Sequence, residues 1–207
     1  MIKKDYEKER EKQLINVKKG SKLLLHSCCA PCSSGVIYRL VDHFDVTVFF
    51  YNPNIDTKEE YDKRAEEQIR YVNQEYAGKV KVVVCDYEKE EYLKAICGLE
   101  NQPEGGLRCN ECFKLRFDKC AEYAKNNGFD YVTTTLTVSP YKNAPLINEI
   151  GEKACADNKV TWIFCDFKKS NGYLNSINNS KKHGLYRQDY CGCEFSYLQS
   201  LNRKSTL

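Results

Sequence analysis

The sequence predicts an α/β protein: one domain, a mostly parallel five-stranded sheet, and helices on both faces of it. Two observations lead there. Short continuous apolar runs recur from residue 22 onward, and each is followed by a stretch whose apolar residues have helical spacing. Runs of that kind are buried on both faces, and strands joined through helices pair in parallel with right-handed crossovers. A length of 207 residues suits a single core of this type.

Residues 1–20 read as a charged N-terminal helical appendage, apolar only near its end at Leu14, Ile15 and Val17, and residues 21–207 as the α/β domain. The first strand, Leu23 to Leu25, runs through a cysteine cluster into a helix expected from Ser33 to about His43. The second strand, Val46 to Tyr51, ends at Asn52-Pro53-Asn54 and precedes a long helix from about Lys58 to Tyr76, with Thr57 as N-cap and Gly78 as stop. Strand Val80 to Val84 and a short helix from Glu88 to Ile96 come next. A helix from near Cys109 to Gly128 then places Phe113, Phe117, Cys120, Ala121 and Ala124 on one face. Strand Tyr131 to Leu136, helix Pro145 to Ala156 and strand Val160 to Phe164 complete the alternation. The tail is a cysteine-bearing C-terminal helical extension: a helix from Tyr173 to Lys182, the Cys191–Cys193 loop, and a helix from Phe195 to Leu201.

The longest apolar run is strand-sized and the N-terminus has no apolar leader. The expectation is a cytoplasmic protein without a membrane partner. Net charge is +3 but unevenly placed: residues 1–19 carry seven Lys/Arg against four acids, residues 168–207 seven against two, and the middle 18 against 23. Basic ends around a mildly acidic middle suit a polyanion held at the periphery.

Twelve cysteines in a reducing compartment should not form a disulfide framework. Seven fall in three tight groups: Cys28, Cys29 and Cys32; Cys109 and Cys112; Cys191 and Cys193. The first follows strand 1 at a helix start, where amide N–H groups and the helix dipole favour thiolate. The second opens a helix with its cysteines three apart, so both sulfurs leave the same side of one turn. Two such pairs meeting above the sheet supply four soft ligands, the set for a 4Fe-4S cluster and equally for structural zinc. Three surplus grouped thiols, and a position in the ligand crevice beyond the strand ends, favour iron–sulfur. Cys191 and Cys193 can close a small, easily reduced disulfide or ligate a second metal. The single cysteines Cys85, Cys97, Cys120, Cys155 and Cys165 read as small core residues, and His26 as a hydrogen-bonded core residue. Asp86 and Asp166, after strands 3 and 5, are weaker polar candidates. A zinc-stabilised RNA-binding module without catalysis is the rival reading. A phosphate-loop pyrophosphatase is disfavoured, because Cys-Cys-Ala-Pro-Cys stands where a Gly-rich loop would be needed.

An ordered set of motifs resembles the QueH-type epoxyqueuosine reductases. It comprises Leu24 to Cys32, Tyr51 to Ile55, Glu60 to Arg64, Arg108 to Cys112, Thr133 to Leu136 with Ser139 to Lys142, Asp166-Phe167, and Leu185 to Cys193. The resemblance spans about residues 22–200. It implies a Rossmann-like fold related to nucleotide alpha hydrolase-like domains, and reduction of epoxyqueuosine to queuosine in tRNA. It further implies a 4Fe-4S cluster on Cys28, Cys29, Cys109 and Cys112, with Cys191 and Cys193 as the redox pair. Cys32 would be a further thiol or a ligand of an additional iron. The partners would be tRNA carrying epoxyqueuosine and an unidentified electron donor. Tyr141, Lys142, Tyr186, Arg187 and Tyr190 are the candidates for contact with the nucleotide, because RNA loops are read by aromatic and guanidinium planes.

Overall fold

The computed structural model describes residues 4–204. Five strands, β1 (Lys22–His26), β2 (Asp45–Phe50), β3 (Lys81–Val84), β4 (Tyr131–Thr134) and β5 (Thr161–Trp162), form one sheet in the order β3-β2-β1-β4-β5. Every pairing is parallel. Leu23, Leu24 and Leu25 are fully buried, as a strand covered on both faces requires. Helices α5 (Leu107–Asn126) and α6 (Ala144–Asn158) pack on each other and on the β1–β4–β5 half. Helix α2 (Ala30–Ser34) packs with α3 (Lys58–Tyr76) and α7 (Gly172–Lys182) across the sheet, as right-handed crossovers in opposite directions demand. The remaining helices are α1 (Tyr6–Ile15), α4 (Lys89–Ala95) and α8 (Glu194–Lys204).

Local chemistry sets the ends of these elements. The Thr57 hydroxyl accepts the Glu60 N–H at 3.2 Å, and α3 stops where Ala77 and Gly78 turn left-handed. β4 ends two residues earlier than expected because the Thr134 hydroxyl captures the Leu136 N–H at 3.2 Å and starts a 3-10 turn, Thr135–Val138.

The helix expected from Ser33 to His43 is replaced by the five-residue α2 and a separate 3-10 turn, Ile37–Arg39. Pro31 favours the earlier start. Continuation fails because Asn179 Nδ2 donates to the Ser34 carbonyl at 2.7 Å, taking the acceptor that the next turn would use. Gly35 also lets α7 approach so closely that a Cβ would lie 2.9 Å from Ser176 Cβ.

β5 is two residues long, against five expected. The Gln13 side chain of α1 takes the ladder's place, with its amide donating to Trp162 O and its carbonyl accepting from Phe164 N–H, both at 2.8 Å. The helix expected as an appendage therefore rests on the sheet edge, where Tyr6 also touches the Phe164 ring. The part of that expected helix at residues 1–3 lies outside the described residues.

Asn148 joins α6 to β5. Its amide donates to Cys165 O and Ala144 O and accepts from Cys165 N–H and the Trp162 indole N–H, all within 3.0 Å and fully buried. Asn148→Ala orphans several of these groups at once. We expect a loss of about 3 kcal/mol in denaturant unfolding, against less than ~0.5 kcal/mol for a change at exposed Lys153.

Candidate metal centre

The chain leaves β1 toward β2 and β3, then returns past β1 to β4, so the sheet order reverses between β1 and β4. Ligands of open α/β sheets collect at the carboxyl side of such a switch point. His26 and Thr134 are register partners at the ends of these two strands. Cys28 and Thr135 follow them, with the Cys28 sulfur 3.7 Å from the Thr135 hydroxyl.

The ligand atoms of Cys28, Cys29 and Cys32 all lie within 4.8 Å of one another, a group able to hold a metal ion. It is the one such group among the described residues. Cys28 and Cys29 sulfurs are 3.8 Å apart. Hydrogen bonds from Cys29 and then Cys32 pull the Cys28 thiol well below its ordinary value, with Arg116 adding a favourable charge. The charge that settles on Cys28 holds its neighbours protonated, Cys29 up to about 12. One thiolate with two thiols beside it is a metal-ready donor set, since binding a cation releases the remaining protons.

A buried polar frame supports this loop. Ser27 and Ser33 hydroxyls lie 2.6 Å apart and both contact Gln68 of α3, at 2.9 and 2.8 Å. Asn52 Nδ2 donates to Ser27 O at 2.9 Å.

Among the described residues, none of Cys109, Cys112, Cys191 and Cys193 joins that group. Cys112 and Cys193 share a buried cluster with Tyr92 and Ile96. Burial pushes the Cys112 thiol up to about 12 and raises Cys193 as well. The Cys109 sulfur accepts the Gly105 N–H at 3.2 Å, and Cys191 lies 3.3 Å from Lys142 Nζ. All twelve cysteines are free thiols. Cys120, Cys155 and Cys165 are core residues as expected, and Cys85 is half-buried. Cys97 is exposed just past the end of α4 and is no core residue.

Arg116 donates to one of these sulfurs, Cys112, and is influenced by Cys191 and Cys28 as well. It is fully buried, and its guanidinium donates to Asn52 Oδ1 at 2.6 Å, His26 Nε2 at 3.2 Å and Cys112 sulfur at 3.9 Å. None of these partners is a carboxylate. Burial works against its charge, yet the charges of Cys112, Cys191 and Cys28 outweigh that and raise its pKa. Burial, and then Arg116, push His26 down to about 3, so it is neutral. Its Nε2 accepts from Arg116 and its Nδ1–H donates to Thr134 Oγ1 at 2.9 Å. Lys142 behaves like Arg116: burial opposes its charge, but Cys191 and Glu104 hold the ammonium above its usual range. Arg116, a buried cation without a carboxylate, calls for anionic sulfur or an anionic cofactor beside it.

The profile of the family described as "Epoxyqueuosine reductase QueH" matches residues 23–199. A protein of that name from Staphylococcus epidermidis is 41% identical over 183 residues, covering 86% of this chain and 77% of its own. One from Streptococcus pyogenes is 41% identical over 182 residues, 84% of this chain and 69% of its own. The relative from Thermotoga maritima is 36% identical over 180 residues, 86% of this chain and 91% of its own. The chain belongs to the QueH family.

In this QueH chain a cleft of about 720 Å³ opens over Cys28, Cys29 and Cys32 and is walled by the 139–142 and 187–191 segments. Tyr141, 77% exposed, stands at its lip. Arg187 lines it, with its guanidinium 5.7 Å from the Tyr173 ring centroid and 3.2 Å from the Ser180 hydroxyl. Tyr190 lines it against Arg64. Lys142 reaches inward to Cys191 and Glu104 rather than outward. Tyr186 is tied outside this lining: its hydroxyl donates to Glu60 and Lys63 sits 3.6 Å from its ring centroid. Asp166 pairs with Lys168 at 2.6 Å. His183 is the C-cap residue of α7. Among the described residues no helix is long and apolar enough to cross a membrane.

Sequence reasoning missed Arg116, Asn52, Gln68 and Arg64 as parts of this site. A signal existed for Arg116: it interrupts an apolar helix face four residues after Cys112, between Phe113 and Phe117. A charge there needs a partner in the core.

Proposed function

We propose that this chain reduces epoxyqueuosine in tRNA to queuosine. The observation that carries the reading is the group of three sulfurs at the sheet's switch point, flanked by a buried guanidinium with no carboxylate among its partners. The donor chemistry fits an iron–sulfur centre. In this reading Cys28, Cys29, Cys109 and Cys112 hold a 4Fe-4S cluster, and Cys32 stays available as a thiol or as a ligand of an additional iron. When bound, such a cluster would relay the dithiol's electrons one at a time and offer Lewis acidity to the epoxide oxygen.

The remaining work falls to the chain. Removing the epoxide oxygen breaks two C–O bonds, forms an alkene and releases water, which takes two electrons and two protons. A Cys191–Cys193 dithiol that closes to a disulfide delivers both, and an external electron donor, still unidentified, reopens it. Lys142 Nζ lies 3.3 Å from the Cys191 sulfur, so a buried cation flanks one member of that pair. Tyr141 offers a stacking plane at the cleft lip, and Arg187 and Tyr190 line the wall along which a nucleotide would enter. A tRNA substrate places the enzyme in the cytoplasm.

The test is anaerobic reconstitution with iron and sulfide, followed by reaction with tRNA bearing the epoxide and analysis of its nucleosides. Formation of queuosine supports the reading. A colourless zinc protein that binds tRNA and leaves the epoxide intact overturns it in favour of an RNA-binding module. Cys193→Ser is expected to keep its full iron content and to lose multiple turnover. Unchanged turnover removes the redox pair from the mechanism.

A further inference from the structure

We propose that Arg64 is a positioning residue: it latches the Cys191–Cys193 loop to helix α3, beside Cys29. Its effect on catalysis rests on the reductase reading; the latch itself does not. The Arg64 side chain is 2% exposed. Its Nε donates to Glu60 Oε1 at 2.7 Å, one turn earlier on α3, and its Nη1 donates to the Cys191 carbonyl at 3.3 Å. Nη2 lies 2.7 Å from the same Glu60 oxygen but is not aligned for a hydrogen bond, so one buried donor remains unspent inside the cleft wall.

The loop is shaped around this guanidinium. Gly192 has φ +124, and a Cβ there would meet Arg64 Nη1 at 3.0 Å and Ile55 at 3.2 Å. Only glycine suits both the backbone and the space. Gly192 O accepts the Asp56 N–H at 3.0 Å, Tyr190 packs on the guanidinium at 5.1 Å, and the Tyr186 hydroxyl bonds the same Glu60. Segment 186–192 is thus held to α3 at both ends, by Glu67, which accepts the Tyr186 N–H at 2.7 Å, and by Arg64 at Cys191. The same helix carries Gln68 beneath the first cysteine group. Arg64 fixes the distance between the dithiol and Cys28, Cys29 and Cys32.

The test uses the metal-free full chain without tRNA. Thiols are alkylated with iodoacetamide and rates are read cysteine by cysteine, with exposed Cys97 as the internal reference. In Arg64→Met, Cys191 is expected to label about tenfold or more faster relative to Cys97, because a hydrogen bond from a charged donor no longer closes the loop. Should Arg64→Met fail to fold, Arg64→Lys keeps a cation beside Glu60 but lacks the fork that reaches Cys191 O, and the same acceleration is expected. Labelling within about twofold of wild type in a folded variant overturns the latch. In the reconstituted enzyme the latch predicts a kcat lower by about tenfold or more with an unchanged KM for tRNA. A raised KM with unchanged kcat overturns it in favour of an RNA contact. Because labelling needs neither iron nor tRNA, failure of the latch and failure of the reductase reading give different results.

Discussion

Cys28→Ala is expected to purify and reconstitute with less than about a tenth of the wild-type iron and sulfide. Cys28 is the centre of its group: it receives hydrogen bonds from Cys29 and Cys32 and is the sulfur that ionises first. Thiolate, not thiol, is the ligand, so its removal takes away the donor already prepared for metal. Structural zinc sites with four ligands contribute about 10–16 kcal/mol of binding; on that scale one ligand in four is worth roughly 3 kcal/mol, or about a hundredfold in affinity. The fold should survive, because Cys28 is only half-buried and Ser27, Ser33 and Gln68 hold the loop beneath it. Iron and acid-labile sulfide per chain, with visible absorption, are the measurements. Cys120→Ala is the matched control: also a cysteine, fully buried, but not part of the cleft lining. A folded Cys28→Ala protein with full iron and sulfide would exclude Cys28 as a ligand.

Much of this was legible in the sequence, and the part that was not has a common cause. Leu23 to Leu25 and Val46 to Tyr51 declare themselves as strands because local apolar runs determine burial on both sheet faces. Thr57 and Gly78 declare the ends of α3 for the same local reason. The division of Ser33 to His43 into two pieces is not local, since it depends on Asn179, 145 positions away in the chain, taking the Ser34 carbonyl. The shortened β5 depends equally on Gln13.

The site divides in the same way. Spacing shows which cysteines are grouped, and that crowding makes Cys28 acidic, through hydrogen bonds from Cys29 and then Cys32. Which group meets which is set by the strand order and by Arg116, Lys142 and Arg64, whose side chains bridge segments far apart in sequence. Lys142 shows the limit: in a loop beside Tyr141 it reads as an RNA contact, whereas its ammonium lies inside, on Cys191 and Glu104.

Arg116→Met tests whether those buried cations serve the cofactor or only the fold, and the two roles predict different readouts. Removing the guanidinium orphans Asn52 Oδ1 and leaves His26 Nε2 without its donor, a cost of about 1–3 kcal/mol each. It also relieves the desolvation of a fully buried charge, which is worth several kcal/mol in the opposite direction. These contributions are of similar size, so the melting temperature of the metal-free protein should change little. Iron binding has no such compensation. A unit charge at the 3.9 Å separation of Arg116 from the Cys112 sulfur is worth about 4 kcal/mol at an effective dielectric near 20. The variant must gather anionic sulfur without that charge. Its iron affinity should fall on the order of 10- to 100-fold, read by chelator competition on protein whose circular dichroism matches wild type. Arg116→Lys should recover part of the loss, because it restores the charge without the fork to Asn52 and His26. Wild-type iron affinity in a folded Arg116→Met protein would leave Arg116 as a structural residue and return the question of the counter-charge to Lys142.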